Sequence, residues 1–207
     1  EVVSWLRLTQ GDAEILQRVA AAQARGKIIH GHTAGARDAK LAAVAAAGVT
    51  SCHEPIRAED AVERLRLGYW VMLREGTIRQ DLAATVKPFV EQQLSTQRLI
   101  LVTDSMAPDD VAEYGHMDYV VRRAIRMGLK PVQAIQAVTL NPATYAGLEQ
   151  EIGGIAPGRW ADLVLFEDLQ EIGVQSTMIG GRVLARAGKT MFFGSPSSLP
   201  EEAIRSL

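Results

Sequence analysis

The stretch RLILVTDS, residues 98–105, decides the fold. Leu99, Ile100, Leu101 and Val102 are apolar without interruption, so a strand built from them hides both faces. A strand with one wet face alternates polar and apolar residues, whereas an unbroken apolar run belongs to a parallel sheet covered by helices. Three upstream stretches repeat the pattern, KIIHG (27–31), VTSCH (49–53) and YWVMLREG (69–76), each preceded by a helical one. DAEILQRVAAAQARG (12–26) carries Ile15, Leu16 and Val19 at helical spacing, opens on Asp12 as cap and stops at Gly26. RDAKLAAVAAAG (37–48) is an alanine-rich helix, and AEDAVERLRLG (58–68) a helix with Ala61, Val62 and Leu65 inward. A further helix is predicted over about residues 79–94, with Pro88 as a kink or break.

Beyond the opening stretch, Met117, Val120, Val121, Ala124 and Ile125 mark an amphipathic helix closing at Gly128. KPVQAIQAV (130–138) begins a helix with Pro131 in its first turn, and NPATYAGL (141–148) one with Asn141 as cap and Pro142 after it. Strand–helix alternation of this regularity means a parallel sheet, open or closed. From about residue 149 the pattern changes to short strands. One is predicted at 162–167, then a hairpin in VQSTMIGGRVLARAGK through Gly180-Gly181, and the tail GSPSSLPEEAIRSL ends in a charged, helix-forming piece.

Composition narrows the function. The 207 residues are 47% hydrophobic and 22% charged, an ordinary globular balance. A net charge of −2 gives no electrostatic ground for nucleic-acid binding. No apolar run nears the roughly 18 residues that would suggest a membrane span. The single cysteine, Cys52, forms no internal disulfide and rules out Cys-x-x-Cys zinc sites.

The informative polar residues stand at strand ends. His32 follows the first strand, His53 the second, Glu75 the third and Asp104 the fourth. Parallel α/β folds build their active sites at the carboxyl ends of strands, where loops vary while the sheet holds them. Each residue alone reads equally as a polar strand end or a helix cap; four in succession point to a site. Two histidines and an aspartate suit zinc, iron or manganese. His30-Gly31-His32 is open to three readings: a metal pair, one ligand beside a neighbour, or two polar residues leaving a strand. By the period-two rule Ser51 shares the face of His53, and Cys52 turns to the opposite face as packing.

GHTAG (31–35), CHE (52–54), MLREGT (72–77), TDS…PDD…GHMDYVVRRAI (103–125) and NPATYAGL…GGIAPGRWADLVLFEDL (141–169) together resemble the adenine deaminases of the amidohydrolase superfamily. The likeness runs over nearly the whole chain. The IAPG-x-x-ADLV block alone indicates an amidohydrolase; REGT with TD and GHMD points to the adenine deaminase branch. The resemblance implies about strands 4–8 of a (β/α)8 barrel of the TIM type over residues 1–148. It further implies part of a small β-sandwich with the start of an extension over 149–207. An upstream His-x-His pair and the first three strands would lie outside this chain, so it reads as a fragment, expected to bind metal weakly and turn nothing over alone.

The resemblance also implies a site. Glu1 would bridge two divalent ions, with His32, His53 and Asp104 as further ligands and manganese, iron or zinc as the metal. Asp104 would in addition move protons. Glu75 would contact the ring nitrogens of a purine, or else form an ion pair with Arg74 or cap a helix. Glu54, His30 and His116 would support from behind, His30 where the family usually has aspartate. Ser105 stands where an acidic residue is usual and would touch substrate. The implied reaction converts adenine to hypoxanthine and ammonia. A different aminated heterocycle or a cyclic amide is one alternative, a non-catalytic domain another. The expected partner is a small purine, in a cytoplasmic enzyme with a homo-oligomer left open.

Overall fold

The computed structural model describes residues 1–191, so the charged tail lies outside the described residues. In chain order the elements are α1 (Trp5–Thr9), α2 (Ala13–Gln23), α3 (Asp38–Ala46), β1 (Ser51–Cys52), α4 (Ala58–Arg66), β2 (Trp70–Arg74), α5 (Leu82–Glu91) and β3 (Leu99–Val102). There follow α6 (Pro108–Tyr114), α7 (Met117–Arg126), α8 (Pro131–Gln136), α9 (Leu140–Ala146), β4 (Leu163–Phe166), β5 (Val174–Ile179), β6 (Arg182–Arg186) and β7 (Lys189–Thr190). Among the described residues there are two compact units: Glu1–Arg159 with Asp168–Ile172, and Trp160–Glu167 with residues 173–191.

In the first unit β1, β2 and β3 are parallel and adjacent in that order. KIIHG, read as a full strand, contributes single bridges instead, His30 to Ser51 and Gly31 to Val2, both parallel. The parallel ladder therefore runs Val2, 30–31, β1, β2, β3, and every segment points the same way. Its core is Val71, Leu73, Leu99 and Leu101 with Val120, Ala124 and Ala134 from the helices, all essentially buried. The doubly apolar run of RLILVTDS is spent on these contacts, at about 25 cal/mol per Å² of apolar surface removed from water.

Local chemistry sets the helix ends. Asp12 caps α2 by accepting from the Ile15 N–H. Pro108 and Pro131 occupy the first turns of α6 and α8, where a missing N–H costs nothing. Gly147 closes α9 in the left-handed conformation at φ 71°. Pro88 does not split its helix: α5 continues through it to Glu91.

Two helices also differ from the reading of the sequence. Asn141 is no cap, because Thr139 holds that place; the Asn141 amide donates to the Thr96 and Leu99 carbonyls at 2.8 and 2.7 Å, tying α9 to the start of β3. In α4 the buried face is Asp60, Ala61 and Arg64, while Val62 and Leu65 stay partly exposed. The polar pair wins because both ends are satisfied. Asp60 accepts from Arg37, Arg57 and the N–H groups of Ile56 and Arg57, and Arg64 donates to Thr33 and to the Asp60 carbonyl. Buried polar groups are tolerated on that condition.

The second unit is an antiparallel sheet in the order β4-β5-β6-β7, with β5 and β6 joined through Gly180-Gly181 as the sequence indicates.

Candidate metal centre

The ladder aligns the chain ends that carry the site. The Val2 N–H donates to the His30 carbonyl at 2.8 Å and the His32 N–H to the Val2 carbonyl at 2.9 Å, while Gly31 N–H donates to Ser51 O at 3.0 Å. Gly31 must lack a side chain, since a Cβ there would stand 2.6 Å from Val49 Cγ1. With that close approach, both flanking histidines reach the same edge as His53.

Five donors gather there. Glu1 Oε1 lies 3.1 Å from His32 Nε2 and 3.6 Å from His30 Nε2. His32 Nδ1 is 3.0 Å from Glu54 Oε1, and the other Glu54 oxygen accepts the Ala34 N–H at 2.8 Å. His30 Nε2 meets His53 Nδ1 at 2.6 Å, the two rings within 6° of parallel and their centroids 4.9 Å apart. Two overlapping groups have ligand atoms within 4.8 Å of one another, Glu1–His30–His53 and His32–His53–Glu54, with His53 common to both.

The electrostatics favour neutral rings at His30 and His53. Burial, then the neighbouring His53, push the His30 imidazolium down to about 4, against the pull of Glu1. Burial and His32 lower His53, with Asp104 and Glu54 opposing. Burial works to raise Glu54, but the His32 ring and the Ala34 N–H outweigh it and hold the carboxyl below its ordinary value. Neutral imidazole nitrogens and ionised carboxylates are what a divalent ion needs, so the donor set fits one.

The remaining expected residues fall beside this cluster. Asp104, at a left-handed φ of 57°, pairs with Arg74 Nη1 at 3.0 Å, and Arg74 also holds Asp81 at 2.8 Å. Glu75 is 1% exposed and pairs with Arg123, not Arg74, at 3.0 Å, with the Tyr119 hydroxyl at 3.5 Å; its Oε2 is buried with no partner among the described residues. By strand alternation it shares the side of Val71 and Leu73, opposite Arg74. Neither Asp104 nor Glu75 belongs to the two donor groups. Ser105 is exposed and accepts the Thr77 N–H through its carbonyl at 2.9 Å. His116 is exposed, at the N-cap of α7, with Nε2 3.5 Å from the Thr103 hydroxyl. Cys52 is fully buried and receives the Thr33 hydroxyl on its sulfur at 2.8 Å.

The structure draws His30 and Glu54 into the cluster itself, and adds Arg74 to the surroundings of Asp104. No sequence signal marked Tyr145: it comes from α9 and places its hydroxyl 2.9 Å from Ser51 Oγ.

The sequence pattern of the amidohydrolase family matches residues 4–184. The chain belongs to the amidohydrolase family. Among its relatives are the adenine deaminase of Cenarchaeum symbiosum (strain A), 43% identical over 182 residues, and that of Moorella thermoacetica, 42% identical over 192. These alignments take in 88% and 92% of this chain but 30% and 32% of the relatives, so the chain spans about a third of their length. The beta-aspartyl dipeptidase of Fervidobacterium islandicum AW-1 superposes with a TM-score of 0.69 at 17% identity, over 94% of this amidohydrolase chain and 59% of the other. The N-acetyl-D-glucosamine-6-phosphate deacetylase of Mycobacterium smegmatis gives 0.63 at 24% identity over 82% and 51%. At such identities the likeness speaks for the fold alone, that of the TIM-barrel amidohydrolases.

Proposed function

We propose that this chain supplies metal ligands and proton-transfer groups to an enzyme that hydrolyses adenine to hypoxanthine and ammonia. The carrying observation is the gathering of Glu1, His30, His32, His53 and Glu54 at the carboxyl edge of a parallel sheet, in a chain similar to adenine deaminases. Residues 1–148 are read as about strands 4–8 of a (β/α)8 barrel, and 149–207 as part of a composite β-sandwich and an extension.

Glu1, His32, His53 and Asp104 would hold the ions. Glu1, whose Oε1 lies 3.1 Å from His32 Nε2 and 3.6 Å from His30 Nε2, would be the carboxylate shared between ions. Manganese, iron and zinc all suit this mixture of nitrogen and oxygen donors. When bound, a divalent ion lowers the pKa of water from about 15.7 to roughly 7, which makes a nucleophile available at neutral pH.

The chain's own groups do the rest. Asp104 accepts the proton of the water that attacks C6 and returns it to the departing amine. Arg74 holds Asp104 Oδ2 at 3.0 Å, so Oδ1 is the oxygen assigned to that proton. Glu75 is assigned to the ring nitrogens: Oε1 is committed to Arg123, while Oε2 is buried with no partner among the described residues. Ser105 is exposed and uncharged beside Asp104, which leaves other aminated heterocycles as a second reading.

The test is a panel of purines, other aminated heterocycles and cyclic amides, given to the protein that carries this chain after loading with each metal. Hypoxanthine and ammonia from adenine are expected. Turnover of another member with adenine untouched moves the assignment to that substrate, and tight metal with no turnover at all marks a non-catalytic domain.

A further inference from the structure

Behind the donor cluster runs a line of hydrogen bonds that the reaction above does not use. Tyr145 Oη lies 2.9 Å from Ser51 Oγ, Ser51 Oγ 2.8 Å from His30 Nδ1, and His30 Nε2 2.6 Å from His53 Nδ1. Ser51 is fully buried, and the bridge between His30 and Ser51 fixes the two backbones side by side. The line starts on α9 and ends on the imidazole that both donor groups share.

With a neutral His30 ring its two contacts can be ordered in two ways, because the ring carries one hydrogen, while Ser51 Oγ has lone pairs for two donors. In one, Tyr145 donates to Ser51, Ser51 donates to His30 Nδ1, and His30 Nε2–H donates to His53 Nδ1. His53 then carries its own hydrogen on Nε2 and has no lone pair left for an ion. In the other, His53 Nδ1–H donates to His30 Nε2 and His30 Nδ1–H donates to Ser51 Oγ, with the Ser51–Tyr145 contact running in either direction. His53 Nε2 is then free to ligate. A ligand histidine is ordinarily fixed in this way by the partner of its second nitrogen.

We propose that His30, Ser51 and Tyr145 are positioning residues that hold His53 in the tautomer with Nδ1 protonated, and so keep its Nε2 available to a metal ion. The proposal rests on the reading of the cluster as a metal centre, and the experiment separates the two. In metal-free, nitrogen-15-labelled protein, long-range proton–nitrogen spectra read the tautomer of each of the four histidines. His53 is expected as the Nδ1–H form, and Ser51→Ala is expected to give a mixture. Equilibrium dialysis against cobalt(II) or zinc(II) is expected to show Ser51→Ala binding about 10- to 100-fold more weakly than the native protein. Tyr145→Phe should fall between, and Ser51→Thr should restore both readouts. A native His53 protonated on Nε2 overturns the proposal, as does a Ser51→Ala protein that keeps the native tautomer and affinity. A native protein that takes up no ion overturns the metal centre, while the tautomer spectra still decide the relay.

Discussion

Asp104 combines two demands in one residue: a left-handed backbone at φ 57° and a carboxylate against Arg74. Asparagine tolerates that backbone almost as well as aspartate. Asp104→Asn should therefore fold normally, with melting temperature little changed, yet lose about 10²–10⁴ in kcat for adenine through the missing proton acceptor. Glu75→Gln separates two roles. A rise in KM is expected if Oε2 meets the ring, whereas a loss of about 1–3 kcal/mol in urea unfolding with unchanged kinetics would assign Glu75 to anchoring α7 through Arg123. Asp60 carries a pH dependence. Burial works to raise its carboxyl, but hydrogen bonds from the Arg57 side chain and backbone, with those of Ile56 and Arg37, hold it below the ordinary value. A depressed folded value means stability that is fully present above the unfolded pKa of about 3.9 and lost as pH falls through the lower folded value. Asp60→Asn should cost about 3 kcal/mol at neutral pH by urea unfolding, and the difference from the native protein should shrink below pH ~4.

Among the elements, α9 and α4 show where pattern reading stops. The Asn-Pro of NPATYAGL looks like a cap because asparagine and proline so often open helices. Its amide instead satisfies two carbonyls at the entry to β3, a use set by a neighbour over 40 residues away in the chain. Asn141→Ala should lose about 1–3 kcal/mol, with a rise in amide hydrogen exchange across Leu99–Val102 as its signature. In α4, apolar spacing pointed to Ala61, Val62 and Leu65; Ala61 is buried, but the turn is fixed by the ion pairs of Asp60 with Arg37 and Arg57 and the hydrogen bonds of Arg64 to Thr33. Apolar periodicity describes a helix whose hidden face is oil; it is silent when that face is a satisfied polar network. Helix α7, whose hidden face is Val120, Val121, Ala124 and Ile125, follows the spacing closely.

For the molecule as a whole, the parallel ladder is the scaffold and the donor cluster its consequence. An ion that binds the folded cluster and not the unfolded chain adds RT ln(1 + [L]/Kd), about 2.7 kcal/mol at a hundredfold excess over Kd. Chelation should accordingly lower the melting temperature of metal-loaded protein in scanning calorimetry, and re-addition of manganese, iron or zinc should restore it. A protein that melts identically with and without chelator would exclude a structural contribution from the ion.

The sequence by itself determined the parallel α/β class, since an unbroken apolar strand between amphipathic helices has one way to bury both faces. It also determined that His32, His53, Glu75 and Asp104 stand at strand ends, because alternation and strand direction are local properties. Only the tertiary structure decided who meets whom. It set His30 against His53 and Ser51, turned Glu75 to Arg123, gave Asp104 to Arg74, and brought Tyr145 from the far end of the unit. Those pairings depend on distances between segments remote in the chain, which no period of 2 or 3.6 residues encodes.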